Sequence, residues 1–193
     1  MKKHYSFFAY IFRMRFIARW ALMRNTRVEN VEEHSYEVAV LAHALATIGR
    51  DIFGKDTDPN AAAVGGLFHD TPEIITGDMP TPVKYHNPQL KAAYQQVEQV
   101  AQDKLLSMLP PELVPAYKPI MRESGEVMQP YVRAADKLAA WLKCQEELKA
   151  GNGEFKRAAD ETLASLKSMH MEEVDYFLDK LGGAFQLTLD DLD

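Results

Sequence analysis

Three local signals set this chain up as a run of helices: Asn30 with Glu33 at capping-box spacing, Asp58-Pro59 and Asn87-Pro88. In each, a side-chain oxygen can accept an N–H of the first turn. In the last two a proline also opens the helix, where its fixed φ fits and its missing donor costs nothing. Apolar residues recur at helical spacing after these starts. No alternating strand pattern and no internal repeat stands out. With 193 residues and 47% hydrophobic content the chain can bury a sizeable core. The expectation is an all-α bundle of about eight or nine helices, with residues 1–193 forming one domain.

The pattern predicts a first helix over about 4–18, with Phe8 and Ile11 inward, and a second from Asn30 with Val38, Leu41, Leu45, Ile48 and Ile52 as its buried stripe. One turn back from Val38 lies His34, so this histidine heads the stripe. The third helix runs from Asp58 to His69-Asp70. Thr71-Pro72 caps a short helix that Gly77 ends, and Pro80-Thr81-Pro82 reads as an ordered loop. A long helix follows Asn87. Pro110, Pro111, Pro115 and Pro119 should then break 110–125 into short pieces. Residues 126–150 form another helix, stopped by Gly151, which carries Val132, Asp136 and Ala139/Ala140 on one inward face. Helices over about 153–168 and 170–181 precede an acidic tail that should fray.

A formal charge of −6 argues against a nucleic-acid polymer as partner. Residues 1–28 carry seven of the basic residues and no acid, but Arg13 and Arg15 interrupt the apolar run. That excludes a membrane span and a signal peptide and favours an amphipathic helix over a transit peptide. The single cysteine, Cys144, rules out a disulfide within the chain and fits a cytoplasmic location.

The chemistry is carried by His34, the doublet His69–Asp70, and Asp136. Taken singly, each has an ordinary role: a hydrogen-bonded core histidine, a helix-end cap, an ion pair with Arg133. Together they supply two imidazoles and two carboxylates at the inner faces or ends of helices. Such a set can hold one divalent cation and leave positions open for water and phosphate. Mixed nitrogen and oxygen donors suit Mn, Fe, Co, Ni or Zn better than Mg. Glu73 follows His69 by four residues and Asp70 by three, so a continuing helix would project all three to one side. It could serve as acid or base, or only as a glutamate favoured by the helix dipole.

This ordered quartet resembles the signature of the HD-domain metal phosphohydrolases. The segments Arg19-Trp20-Ala-Leu-Met-Arg24, Glu29-Asn-Val-Glu-Glu-His-Ser35, Thr76-Gly-Asp-Met-Pro-Thr-Pro-Val-Lys-Tyr85 and Lys143-Cys-Gln-Glu-Glu-Leu148 are similar to those of the bacterial HD-domain 5′-deoxynucleotidases of the YfbR type. The likeness covers most of the chain. Thr71-Pro72 departs from the small or polar residues expected after the doublet. The resemblance implies His34, His69, Asp70 and Asp136 as ligands of one divalent ion such as cobalt or manganese, with Asp70 and Glu73 catalytic. It further implies Arg19 on phosphate, Trp20, Asp78 and Thr81 on the sugar, a 2′-deoxyribonucleoside 5′-monophosphate substrate and a homodimer. Lys84 and Tyr85 receive no firm role, and His4, His43, His86 and His170 read as structural or exposed. Another HD phosphohydrolase activity, on cyclic or polyphosphorylated nucleotides, stays open as an alternative. So does a non-enzymatic helical binding protein.

Overall fold

In the computed structural model the described residues are 4–84, 87–122 and 128–192; the side chains of Thr81, Pro82 and Arg122 lie outside the description, as do Tyr85 and His86. The α-helices are α1 (Phe7–Ile11), α2 (Val31–Asp51), α3 (Pro59–Phe68), α4 (Glu73–Thr76), α5 (Thr81–Lys84), α6 (Pro88–Leu106), α7 (Val114–Arg122), α8 (Gln129–Lys149), α9 (Lys156–Lys167) and α10 (Glu172–Lys180). Short 3₁₀ turns follow α1, precede α9 and close the chain. Among the described residues there is no strand, only an isolated antiparallel bridge between Ala18 and Asn30. No helix among them is long and apolar enough to cross a membrane.

Helix starts follow the local chemistry. Asn30 and Glu33 form the reciprocal capping box, Asp58 accepts from Asn60 and Ala61, and Asn87 accepts from Leu90. Helix α2 is the central element. Its Val38, Leu41, Ala42 and Leu45 pack against Val132, Ala135, Leu138 and Ala139 of α8, with Ala62, Leu166, Val174 and Phe177 closing the core. Against α3 the approach is unusually close. A Cβ on Gly66 would lie 2.7 Å from the Ala39 Cα, so only glycine fits there. That close crossing brings the end of α3, and His69, beside His34.

Several expected boundaries move. The first helix is one turn of α followed by a 3₁₀ turn over Phe12–Phe16. Phe7 is buried and Phe8 is half-exposed, because Phe7 inserts among Leu105, Leu106 and Met121 and meets Tyr117 edge-on at 5.2 Å. Ile52 lies beyond the end of α2 and is exposed. Thr81–Lys84 forms a helical turn closed by the Pro80 carbonyl, which accepts from Val83 and Lys84; no donor on Pro82 is needed there. Pro119 sits inside α7 instead of breaking it. Thr71 does not cap α4; its hydroxyl turns back to the Phe68 carbonyl at 2.8 Å. The tail is pinned, since the Lys149 ammonium donates to the carbonyls of Gln186 and Leu187.

A buried polar network fastens the 20–30 loop to α8. The Glu147 carboxylate accepts from the Thr26 N–H and hydroxyl at 2.9 and 2.7 Å and from Asn152 at 2.9 Å. Lys143 donates to Glu147 at 2.5 Å and to the Arg27 carbonyl at 2.6 Å. Both side chains are almost wholly buried. Removing one partner leaves the other charge unpaired in the interior, so Glu147→Ala should cost about 3–5 kcal/mol. Chemical denaturation of wild type and variant checks this; a loss under about 1 kcal/mol, the worth of a surface pair, would contradict it.

Candidate active site

The bridge between Ala18 and Asn30 assembles the site. The Arg19 N–H donates to the Glu29 carbonyl and the Val31 N–H to the Ile17 carbonyl. The segment after the first helix therefore lies against the start of α2, and Arg19 reaches inward over His34. From α2 comes His34, fully buried, with Nε2 3.1 Å from Asp136 Oδ1 on α8. From the end of α3 comes His69, whose ring centroid is 5.3 Å from that of His34. One donor atom each from His34, His69 and Asp136 lie within 4.8 Å of one another.

Asp70 stands at the edge of this group. Its Oδ2 is 3.1 Å from His69 Nε2, 3.6 Å from His34 Nε2 and 3.3 Å from an Arg19 nitrogen. His69 donates through Nδ1 to the Gly66 carbonyl at 2.7 Å in the tautomer that leaves its other lone pair free. Nε2 is buried and makes no hydrogen bond despite the nearby carboxylate. Two nitrogens and the Asp136 carboxylate thus face a common point, with the Asp70 carboxylate against both rings, a donor set that fits a divalent cation. The expected alternative partner of Asp136 is otherwise engaged: Arg133 donates to Gln129 at 2.8 Å.

The electrostatics agree. Burial and Arg19 both disfavour charge on His34, yet Asp136 and Glu29 raise it to about 9, so the surrounding carboxylates favour positive charge at this ring. Burial alone would also raise Asp70, but His69, His34 and Arg19 hold it far below the usual carboxylate range. Glu73 behaves oppositely. It is 7% exposed, its Oε2 has no partner, and burial with Asp70 and Asp78 nearby pushes it up to about 9. Two carboxyls in one site therefore carry different protonation states at neutral pH, one ionised and one protonated.

Beside the quartet opens a cavity of about 560 Å³, lined by Arg19, Trp20, Met23, Asp78, Met79, Pro80, Asp136 and Lys137, with α9 as the far wall. Trp20 has φ +56°, a left-handed backbone that a bulky residue seldom adopts. It is held there by Met23 and Asn25, which donate to its carbonyl, and by Glu29, which accepts from its indole at 2.8 Å. The ring leans on Phe155 at 5.4 Å. Asp78 is raised by burial, with Arg19 opposing. The Thr81 side chain lies outside the described residues. Lys84 pairs with Glu98 at 2.7 Å. His4, His43 and His170 are exposed.

Sequence reasoning gave no role to Glu29, Lys137 or the Lys143–Glu147 pair. Their places depend on pairings across the chain that periodicity does not carry. Glu29 lies outside the capping box and off the apolar stripe, and only its place in a family-like segment could have drawn attention to it.

The comparisons with known proteins decide the family. The 5′-deoxynucleotidase YfbR-like family profile matches residues 6–185. This chain belongs to that family. It is 46% identical over 188 residues to a 5′-deoxynucleotidase of Photorhabdus laumondii, covering 96% of this chain and 95% of that one. It is 45% identical over 192 residues to 5′-deoxynucleotidase YfbR of Salmonella arizonae, covering 98% and 96%. Among solved structures, an HD-domain phosphohydrolase of Listeria innocua superposes with a TM-score of 0.82 at 25% identity, over 93% of this chain and 88% of that one. The HD phosphohydrolase of cyanophage S-2L, solved bound to dA and one catalytic Zn²⁺ ion, gives 0.67 at 21% identity, over 93% and 96%. The all-α architecture is the HD phosphohydrolase fold.

Proposed function

We propose that this chain is a metal-dependent 5′-nucleotidase that hydrolyses 2′-deoxyribonucleoside 5′-monophosphates. The observation that carries this reading is the convergence of His34, His69 and Asp136, with Asp70 against both rings, beside a cavity walled by Arg19, Trp20 and Asp78, in a chain of this family. His34, His69, Asp70 and Asp136 would hold one divalent transition metal, cobalt, manganese or a similar ion. When bound, it supplies the Lewis acidity that activates the attacking water and neutralises phosphoryl charge.

The protein's own groups supply the rest. Arg19 is 11% exposed and already faces Asp70 and Glu29, which fix the guanidinium plane. It offers its remaining donors to the phosphate as a charged fork. Asp70, kept ionised, orients the water. As the water oxygen bonds to phosphorus, the bond from phosphorus to O5′ breaks. Glu73, whose burial favours the protonated form, delivers its proton to that leaving oxygen. The proton that the water gives up returns to the Glu73 carboxylate left by this transfer. The products are the deoxynucleoside and inorganic phosphate.

The sugar lies against Trp20. An indole fixed at both its N–H and its ring face leaves no room for a 2′-hydroxyl, and Asp78 accepts from the 3′-hydroxyl. Two negative groups would meet if a 3′-phosphate stood there. Thr81 belongs to the same contact by resemblance. The wall is stiffened by Glu29, which accepts from the indole N–H, and by Phe155 against its ring. The enzyme acts as one catalytic domain in the cytoplasm, as a homodimer. Phosphate release from nucleoside mono-, di-, tri- and cyclic phosphates, with several metals, tests the reading. Deoxyribonucleoside 5′-monophosphates should be hydrolysed fastest, and a cyclic or triphosphate substrate ahead of them would overturn it.

A further inference from the structure

Glu29 is 6% exposed and sits behind the site, where three functional side chains converge on its carboxylate. Oε2 accepts from the Trp20 indole at 2.8 Å and lies 3.6 Å from Arg19 Nε. Oε1 lies 3.5 Å from His34 Nδ1. Its backbone carbonyl accepts from the Arg19 N–H. Arg19 Nε and His34 Nδ1 are both buried without a hydrogen bond, and the Glu29 carboxylate, at 3.6 and 3.5 Å, is the opposite charge that faces each of them. An ionised carboxylate has about four lone-pair directions, enough for all three donors at once.

We propose that Glu29 is the positioning residue that ties metal, phosphate and sugar recognition together. This rests on the deoxynucleotidase reading above. Toward His34, a carboxylate at Nδ1 selects the tautomer whose Nε2 lone pair faces Asp136 and His69, and it makes that nitrogen a stronger donor to a cation. Toward Arg19, it holds one edge of the guanidinium, so that the other edge points to Asp70 and the cavity. Toward Trp20, it locks the indole that walls the sugar. One side chain therefore sets three geometries, and its loss should show in measurements that an ordinary core residue would not move.

The test uses Glu29→Gln and Glu29→Ala. The readouts are metal affinity by competition with a chelator, the ratio of kcat/KM for deoxyribo- over ribonucleoside 5′-monophosphate at saturating metal, and Tm. Glutamine keeps an acceptor for the indole but no charge for His34 and Arg19. Glu29→Gln should therefore bind Mn²⁺ or Co²⁺ roughly 10- to 100-fold more weakly while largely keeping the sugar ratio. Glu29→Ala should lose both. Metal affinity within twofold of wild type in both variants, with the ratio unchanged, would overturn the proposal whatever happens to Tm. Should Glu29→Ala fail to fold, Trp20→Phe carries the sugar arm. A phenyl ring removes the N–H that Glu29 accepts together with part of the wall, so the deoxyribose preference should fall with metal affinity intact, and an undiminished preference would overturn the coupling. A wild type that releases no phosphate from deoxynucleotides with any metal would instead sink the functional reading, a separate outcome.

Discussion

Replacing Glu73 with glutamine is expected to leave metal and substrate binding in place and to cut turnover by roughly 10²–10⁴-fold. The side chain lies on the first turn of a short helix just past His69 and Asp70, buried and with one oxygen lacking a partner. Desolvation, aided by the charges of Asp70 and Asp78, keeps its proton on up to about pH 9. A proton held beside an ionised carboxylate is what a leaving alkoxide needs, and glutamine has the shape without that proton. Steady-state kinetics at saturating substrate, with metal content measured on the same sample, check this. Normal turnover would reduce Glu73 to a helix-end charge. The same burial has a second consequence. In the unfolded chain Glu73 ionises near 4.5, while in the fold it does so only near 9. Folding therefore takes up a proton between those values, and the group's contribution to stability falls as pH rises through that window. In metal-free protein, Glu73→Gln should raise Tm, and more so at pH 8 than at pH 5.

Changing His69 or Asp136 to alanine is expected to remove the tightly held metal and most of the activity. Even partners that only orient a metal ligand cost about 10–100-fold in affinity or activity, and a direct ligand should cost more. The geometry leaves these two little else to do. His69 Nε2 has no hydrogen bond, and Asp136, with 43% of its side chain exposed, turns to His34 and the cavity instead of to the neighbouring Arg133. Metal analysis of each purified variant and of Asp70→Ala together with Asp136→Ala is the check. Stoichiometric metal retained by the double variant would remove the quartet from consideration.

What the sequence made legible was whatever its chemistry keeps local. Asn30, Asp58 and Asn87 bond to their own first turns, so three helix starts could be read without knowing the fold. The stripe of α2 placed His34 inside because the helix is long enough to average over many positions. The five-residue first helix is not, and there the choice between Phe7 and Phe8 fell to packing against α6 and α7. Pro119 shows a similar limit: its missing N–H did not stop α7 from continuing through it. In the site, residue types and order pointed to the quartet and Glu73, and of these His34, His69 and Asp136 converge with Asp70 at their edge. Glu29 escaped because its role follows from the bridge at Ala18 and Asn30, a contact between two irregular segments. Lys143 and Glu147 escaped likewise; four residues apart on one helix, they look like a solvated pair until the Thr26 loop covers them.

The central assignment is tested most directly by one ratio. For metal-reconstituted wild type, kcat/KM is measured for 2′-deoxyadenosine 5′-monophosphate, adenosine 5′-monophosphate and 2′-deoxyadenosine 3′-monophosphate, with metal-free protein as the control. The expected result is hydrolysis that needs the metal and strongly favours the deoxyribonucleoside 5′-phosphate, as the roles proposed for Trp20 and Asp78 require. Equal values for the ribo- and deoxyribonucleotide, or undiminished hydrolysis by the metal-free protein, would contradict it.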